Sequence, residues 1–378
     1  MKQATRRLSS SGSAASSDRR AGPGAALALV AGVALGGCAS KPGVIFQRAD
    51  QAIQWPAPPD PPRIGFMGSI VSSEDLRPGR SAGQGFFDVI FGRKPAQGMV
   101  SPIAVAVGPG GRVFVADPGV RGVHVFDLES RAYEVWRPPA EVSPFTQPVG
   151  LAALEGGGLL VSDSADAALF VFDEEGGFVG TVGDGLLQRP VGVAVDETGG
   201  RVFVADAAAH LVVVLAMDGE EIARFGGRGT GPGEFNFPTH LALGADGSVF
   251  VADTLNFRVQ AFAPDLSPRL SIGSKGDLPG YFAQPKGIAV DAAGRVFVVD
   301  AHFEAVQIFD PGGVLLMAFG REGSGPGEFW LPAGLNIDKR GWIWIADSYN
   351  RRVQAFAYVG PDEDGQPAQP EADPGDAR

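Results

Sequence analysis

Cysteine, basic residues and recognisable catalytic motifs are scarce in this chain of 378 residues. Its single cysteine, Cys38, excludes an intramolecular disulfide even in an oxidising compartment. Lys and Arg number 31 against 43 acidic residues, for a formal net charge of −12. Because affinity for phosphate depends on clustered Lys and Arg, this balance argues against a nucleic-acid partner. No nucleophile beside a base, no paired-carboxylate spacing and no cofactor fingerprint indicates an enzyme.

A long apolar run is also missing, and the apolar stretch 25–35 is too short to span a bilayer. It follows a basic start and reads as the core of a signal peptide over 1–37. The residues Leu35-Gly36-Gly37-Cys38 resemble the bacterial lipobox, in which cleavage before the cysteine leaves it to carry a lipid. The alternative is a lone cysteine in an ordinary signal peptide. The resemblance implies an exported lipoprotein of the cell envelope, held at the outer membrane or its periplasmic face in a double-membraned bacterium.

What the sequence does contain is one pattern repeated six times between Ser101 and Phe356. Each repeat begins with a proline, at Pro102, Pro148, Pro190, Pro238, Pro285 and Pro332. Each second segment ends with an aspartate, at Asp117, Asp163, Asp206, Asp253, Asp300 and Asp347. Both series step by 42 to 48 residues, a period that admits propeller blades and also paired helices.

The content of each repeat favours strands over helices. Short Val, Ile and Phe runs are bounded by turn residues, and glycines fall where a hairpin would reverse. The first run of each repeat holds small side chains and the third a bulkier phenylalanine, as the taper of a propeller blade requires. The motifs Pro285-Lys286-Gly287-Ile288-Ala289-Val290-Asp291 and Arg352-Val353-Gln354-Ala355-Phe356 resemble those of the NHL-repeat family of six-bladed propellers. The resemblance implies an all-β, six-bladed β-propeller over about two thirds of the chain.

Segments outside the repeats complete the predicted domain plan. Repeat six lacks a fourth strand, and an N-terminal strand at 63–70 is predicted to close it, within a propeller spanning 63–359. Residues 38–62 are rich in proline and predict a semi-rigid tether from the lipid to the domain. Residues 360–378 are acidic, lack an aliphatic run and predict a disordered tail.

Binding residues are expected on the face formed by the loops that lead into each first strand and those joining second to third strands. Lys286, Arg258 and Arg352 are candidate partner-binding residues there, although both arginines also have the spacing to brace a loop through the repeat aspartate. The aspartates themselves could bind a cation, but Asp at a strand end usually accepts hydrogen bonds from loop amides. The glycine-rich stretches 229–235 and 323–329 precede strands rather than helices, so they read as structural turns and not as phosphate cradles.

Two departures from the repeat offer sharper sites. His240 replaces the expected glycine after Pro238, and His302 and His210 lie in neighbouring loops, so three imidazoles could hold a divalent zinc or iron. The other interpretation is three unrelated loop histidines. In the long loop 71–100, Phe86, Phe87 and Phe91 form an apolar run that could contact a partner or pack as a short helix on the rim.

These observations lead to two hypotheses about function. The first is an envelope-anchored scaffold that presents its loop face to a protein or glycan, attached to the membrane through a lipid on Cys38. The second is a metal-dependent lyase or hydrolase centred on His240. Propellers support both classes, so the fold alone does not choose between them.

Overall fold

The Val-, Ile- and Phe-rich runs form strands throughout the computed structural model, which describes residues 43–46, 52–77, 97–142 and 144–359. Two strands precede the repeats, β1 (Gln54–Trp55) and β2 (Ile64–Ile70). Two single-turn 3₁₀ helices, Pro109–Gly111 and Thr254–Asn256, lie in connections between strands. Cys38, Phe86, Phe87, Phe91 and the tail 360–378 lie outside the described residues.

Each repeat forms one antiparallel sheet, a blade. Blade 1 comprises β3 (Ala104–Val107), β4 (Arg112–Asp117), β5 (Gly122–Asp127) and β6 (Tyr133–Trp136). Blade 2 comprises β7 (Pro148–Ala153), β8 (Leu159–Asp163), β9 (Ala168–Phe172) and β10 (Phe178–Val182). Blade 3 comprises β11 (Pro190–Asp196), β12 (Arg201–Asp206), β13 (Leu211–Ala216) and β14 (Glu221–Gly226).

The remaining blades repeat this arrangement. Blade 4 comprises β15 (Pro238–Leu243), β16 (Val249–Asp253), β17 (Arg258–Phe262) and β18 (Pro268–Ile272). Blade 5 comprises β19 (Pro285–Val290), β20 (Val296–Asp300), β21 (Ala305–Phe309) and β22 (Leu315–Phe319). Blade 6 comprises β23 (Pro332–Ile337), β24 (Ile343–Asp347) and β25 (Arg352–Tyr358), followed in the sheet by β2 and β1.

The last blade is closed from the N-terminal side. Strand β2 pairs antiparallel with β25, with Ile64 opposite Tyr358 and Ile70 opposite Val353. The predicted closing strand is therefore confirmed. Its pairing satisfies backbone groups that an open edge of β25 would leave free.

The core lies between blades. Each of six hydrophobic clusters joins two neighbouring blades, so the apolar faces of every sheet are covered on both sides. The innermost strands approach so closely that a Cβ on Gly192 would lie 2.8 Å from the Cα of His240, and one on Gly334 would lie 2.6 Å from the Cα of Ala104. The glycines that follow the blade-leading prolines are thus a packing requirement of the central ring.

Strand alternation gives the propeller two faces. The loop face holds the connections between blades and those between second and third strands, and the hairpin face holds the first-to-second and third-to-fourth hairpins. Backbone amides of the connecting loops donate to the aspartates at the ends of the second strands, for example Gln147 to Asp163 at 2.8 Å. The two kinds of loop therefore meet on the same face, as the repeat pattern predicts.

The segment predicted as a tether is instead packed on the propeller where the structure describes it. Phe46 is buried against Trp342 and Trp344, with ring centroids 5.5 and 5.7 Å away. Trp55 packs against Phe319 and Phe356 at 5.8 and 5.9 Å, and β1 pairs with β2. Burial of these two aromatic side chains stabilises contact with blade 6, so residues 43–46 and 52–62 are not a free spacer.

Candidate functional site

The aspartates that end the second strands are part of the scaffold. All six are fully buried. Asp117 accepts hydrogen bonds from the backbone N–H groups of Val100 and Ser101 at 2.6 and 3.0 Å, and the aspartates of the other repeats accept from the equivalent loops. Their oxygens are engaged with loop amides, which is the structural alternative that the sequence left open.

Arg258 and Arg352 brace the same loops. Arg352 donates to the Asp347 carboxylate at 2.8 Å and to the carbonyl oxygens of Ser324, Gly325 and Glu328. Arg258 donates to Asp253 and to two loop carbonyls in the same manner. Their side chains are only 10% and 13% exposed. Their guanidinium groups are thus engaged inside the molecule, which supports the loop-bracing role that their spacing also predicts.

The glycine-rich stretches are turns closed by their own glutamates. The Glu234 carboxylate accepts from the backbone N–H groups of Thr230 and Gly231 at 3.0 and 2.9 Å, and Glu328 accepts from Gly325 at 2.8 Å. The bond from Gly325, followed by that from Arg321, lowers the pKa of Glu328 below its ordinary value. Amides bound to an internal carboxylate are not free to hold a phosphate.

His210 also serves a loop. Its backbone is left-handed, with φ of 58°, and its Nδ1 accepts a hydrogen bond from the Phe237 N–H at 3.2 Å. Glu304 holds the equivalent position in blade 5 and accepts from the Leu331 N–H at 3.4 Å. A histidine in blade 3 and a glutamate in blade 5 thus each hold the backbone N–H of the residue before the next blade-leading proline.

The predicted metal site does not fit this arrangement. Among the described residues, no group of three or more His, Cys, Asp or Glu side chains could hold a metal ion. His210 is buried in its loop, His302 is exposed, and His240 lies on the innermost strand of blade 4. The sequence spacing predicts all three histidines on the loop face, but their side chains do not meet at one point.

His240 ends a chain of hydrogen bonds between blades 4 and 5. Its Nδ1 lies 3.1 Å from the Thr239 hydroxyl, which lies 2.6 Å from the Thr254 hydroxyl. Thr254 donates to the Pro285 carbonyl at 2.8 Å. Because that carbonyl can only accept, Thr239 must donate to Thr254 and His240 must donate through Nδ1 to Thr239. The unprotonated nitrogen is then Nε2, which is sealed from solvent and has no partner among the described residues.

The charge of Lys286 acts on His240 across this boundary. Burial, with a smaller effect of the Lys286 charge, lowers the pKa of His240 to about 3. The imidazole is therefore neutral at neutral pH. Burial also lowers the pKa of Lys286 below its ordinary value.

A cleft of about 510 Å³ opens on the loop face between the same two blades. Phe257, Phe303, Lys275 and His302 line it, together with Thr254 and Gln284. Thr254 connects the cleft to His240 through the hydroxyl chain, and Gln284 precedes Lys286 by two residues. The structure thus gathers His240, His302 and Lys286 around one blade boundary and leaves His210 at another.

Sequence reasoning missed an exposed aromatic pair on this face. Trp330 and Tyr349 are 50% and 60% exposed, and their ring centroids lie 5.4 Å apart. Trp330 stands two residues before a blade-leading proline and Tyr349 two residues after a repeat aspartate. Blades 2 and 3 have Ala165 and Ala208 at the latter position. Comparison of the repeats position by position would have revealed the departure.

The fold and these repeat-specific interactions define a class, the six-bladed β-propeller. Residues 187–215 match the NHL repeat, and residues 282–359 match a family described as 6-bladed beta-propeller. The chain is therefore a six-bladed β-propeller, and one segment of it matches the NHL repeat. No helix among the described residues is long and apolar enough to cross a membrane.

Comparison with known proteins supports the fold and leaves the activity open. Protein brain tumor of Drosophila melanogaster is 27% identical over 128 residues, a match that covers 33% of this chain and only 12% of that protein. An auxiliary nutrient binding protein from Bacteroides thetaiotaomicron superposes with a TM-score of 0.55 at 12% identity, covering 69% of each chain. Virginiamycin B lyase from Staphylococcus aureus superposes with a TM-score of 0.51 at 13% identity, covering 68% of this chain and 95% of the lyase. At such identities the structural likeness establishes the fold alone.

Proposed function

We propose that this protein is an exported, membrane-anchored binding module whose loop face captures a protein or glycan of the bacterial envelope. The exposed Trp330–Tyr349 pair on the loop face is the observation that carries this proposal. Loops held on a rigid scaffold are the usual place for binding residues.

The composition of this part of the loop face supports a contact surface. Leu255, Leu278 and Tyr281 are exposed by 47%, 61% and 38% in the loops of blades 4 and 5. With the aromatic pair of blade 6 they place large apolar side chains on three consecutive blades. Exposed apolar groups concentrated on one surface indicate an interaction site, and Trp and Tyr are the residues most often found as its anchors.

The first described residues of the chain contact the hairpin face. Gly43 accepts a hydrogen bond at 2.7 Å from Arg131, which lies in a hairpin of blade 1. The N-terminal segment therefore joins the propeller beside the hairpin face. Phe86, Phe87 and Phe91 stay candidate contact residues on the strength of the sequence.

Site-specific photocrosslinking in the producing bacterium tests the proposal. We expect a photoreactive residue at Tyr349, and a second one at Phe87, to yield a discrete adduct with an envelope protein or glycan. Met217 is the matched control, because it is 45% exposed but lies in a hairpin of blade 3. Equal adducts from Tyr349 and Met217, or none from Tyr349, would refute binding through the loop face.

A further inference from the structure

Two acidic residues at the boundary between blades 5 and 6 depart from the repeat in the sign of their charge. The residues four places after the repeat aspartates all have a left-handed backbone, and they are Arg121, Ala167, His210, Phe257, Glu304 and Arg351. Glu304 is the only acid among them. The second departure is Glu322, which bridges to Phe329 across the entry loop of blade 6. The corresponding residues in the entry loops of blades 4 and 5 are basic, Arg228 and Lys275.

Both acidic residues contact the chain neighbours of the exposed Trp330. Oε1 of Glu304 accepts a hydrogen bond at 3.4 Å from the N–H of Leu331, the residue after Trp330. Glu322 bridges to the residue before it. The Trp330 carbonyl accepts from the Tyr349 N–H at 3.1 Å, and the two rings lie 5.4 Å apart. Glu304, Glu322, Trp330 and Tyr349 therefore form one group, which we call the blade 5–6 site.

The two carboxylates of this site lie close enough to affect each other. Burial raises the pKa of Glu304, and the hydrogen bond from the Leu331 amide lowers it. The charges of Glu322 and Asp347 add to the rise, whereas His302 opposes it. A cation placed beside such carboxylates relieves their mutual repulsion.

No cation among the described residues neutralises the pair. Oε2 of Glu304 has no hydrogen-bond partner there and is not sealed from solvent, and the exposed Glu322 forms no ion pair. Arg321 and Arg352 are bonded to other carboxylates. Arg351 holds the blade 6 position that corresponds to Glu304, at the boundary with blade 1. The negative charge of the site is thus available to a partner.

A guanidinium group fits both halves of the site. It stacks on the face of a Trp or Tyr ring and donates in a planar fork to a carboxylate, which a compact ammonium does less well. A metal ion is not indicated, because no group of three or more His, Cys, Asp or Glu among the described residues could hold one. The net charge of −12 also favours the approach of a basic partner over an acidic one.

We propose that the blade 5–6 site binds an arginine side chain of a protein partner, stacked on the Trp330–Tyr349 pair and paired with Glu304 and Glu322. This inference rests on the proposed function and names the chemistry that the loop face recognises. It assigns the partner to proteins, because a neutral glycan would leave both carboxylates without a counter-charge.

NMR titration of the ¹⁵N-labelled full chain tests the proposal through its five tryptophan indole N–H signals. N-acetyl-arginine amide should shift the signal of Trp330, which Trp330→Phe assigns. The neutral N-acetyl-citrulline amide should bind about tenfold more weakly, the effect of losing a charge-assisted contact. Glu304→Gln, which keeps an acceptor for the Leu331 N–H, and Glu322→Gln should each weaken the arginine amide by about tenfold. Glu174→Gln, an exposed glutamate in a hairpin of blade 2, should change it by less than about twofold.

Several results would overturn the inference. They are an unshifted Trp330 signal, equal binding of the arginine and citrulline amides, full binding by both glutamine variants, and a shift by methyl glucoside that the variants leave unchanged. Photocrosslinking separates this inference from the proposed function. An adduct at Tyr349 that persists when Glu304→Gln and Glu322→Gln are combined would leave loop-face binding in place and remove the arginine, whereas loss of that adduct supports both.

Discussion

His124 occupies the position that glutamine holds in three other repeats. Gln260 and Gln354 each donate to the buried aspartate of their blade, at 3.3 and 3.0 Å. Gln307 bonds instead to the loop that leads into its blade, accepting from the Gly280 N–H and donating to the Tyr281 carbonyl. In blade 1 the Nε2 of His124 lies 3.2 Å from Asp117, and Nδ1 lies 2.8 Å from the Tyr133 hydroxyl. Burial alone would raise the pKa of Asp117, but hydrogen bonds from His124 and the Val100 amide lower it.

The repeat therefore predicts which substitution blade 1 tolerates. We expect His124→Gln to retain the free energy of unfolding to within about 1 kcal/mol, because glutamine can donate to Asp117 as it does in its own repeats. His124→Leu removes the donor and should cost about 1–3 kcal/mol. Urea unfolding followed by circular dichroism measures both. Equal losses in the two variants would show that the ring, and not the hydrogen bond, is required.

His240 is a second departure from the repeat, and it makes stability depend on pH. Its pKa is lowered to about 3 from an ordinary value of 6.5. Between these values the unfolded chain binds a proton that the folded chain excludes. Stability is therefore lost as the pH falls below about 6.5.

Replacing His240 by the glycine of the repeat should remove this loss. Between pH 6.5 and 5, we expect the free energy of unfolding to fall more steeply in the parent protein than in His240→Gly, by at most about 1.4 kcal/mol per pH unit. His302→Asn, which removes an exposed imidazole, should follow the parent curve. Parallel curves for His240→Gly and the parent would mean that the folded protein accepts the proton.

At the scale of the element, the loops of the loop face depend on an arginine in the third strand. Burial raises the pKa of Asp347, and hydrogen bonds from Trp330, Asn350 and Arg352 oppose the rise. Arg352 also fixes three carbonyl groups of the preceding loop. Removing it leaves a buried carboxylate without its charge partner.

Arg352→Met should therefore lower the free energy of unfolding far more than Arg351→Met. We expect it to cost about 3–5 kcal/mol, the usual loss when one member of a buried ion pair is removed. Arg351→Met changes an exposed side chain and should stay within about 0.5 kcal/mol of the parent. Thermal and urea unfolding of the two variants provide the comparison. Similar losses in both would contradict the bracing role.

The N-terminal elements show where pattern reasoning succeeds and where it stops. The closing strand was predictable because repeat six lacks a fourth strand and 63–70 supplies a matching alternation. The packing of Phe46 and Trp55 was not, because the short apolar runs that contain them lie in a segment whose prolines predict an extended linker. Their burial sites are built from blades 5 and 6, more than 250 residues away in sequence.

For the whole molecule, the anchor at Cys38 stays a prediction of the sequence. We expect the protein to incorporate an azide-bearing fatty acid and to fractionate with membranes, and Cys38→Ala to do neither, because that cysteine is the only thiol. Mass spectrometry of the N-terminal peptide checks the modification. An unlabelled protein that retains residues before Cys38 would contradict lipidation.

The sequence by itself determined the number of blades, their strand order and the closure of the ring. These properties follow from a local pattern repeated six times, because each repeat packs in the same surroundings. It also indicated that the aspartates and the Arg258 and Arg352 side chains could brace loops, because their spacing recurs. A comparison of the repeats at each position also marked His240 as unusual, because it replaces the glycine of the repeat.

Only the tertiary structure decided what those departures do. It separated His210 from the other histidines, placed His302 in the lining of the cleft between blades 4 and 5, and exposed Trp330 and Tyr349 together. Residues on different blades meet through the curvature of the ring and the rotamers of their side chains. Neither quantity is encoded in a repeat period, so the convergence of a site had to be observed in three dimensions.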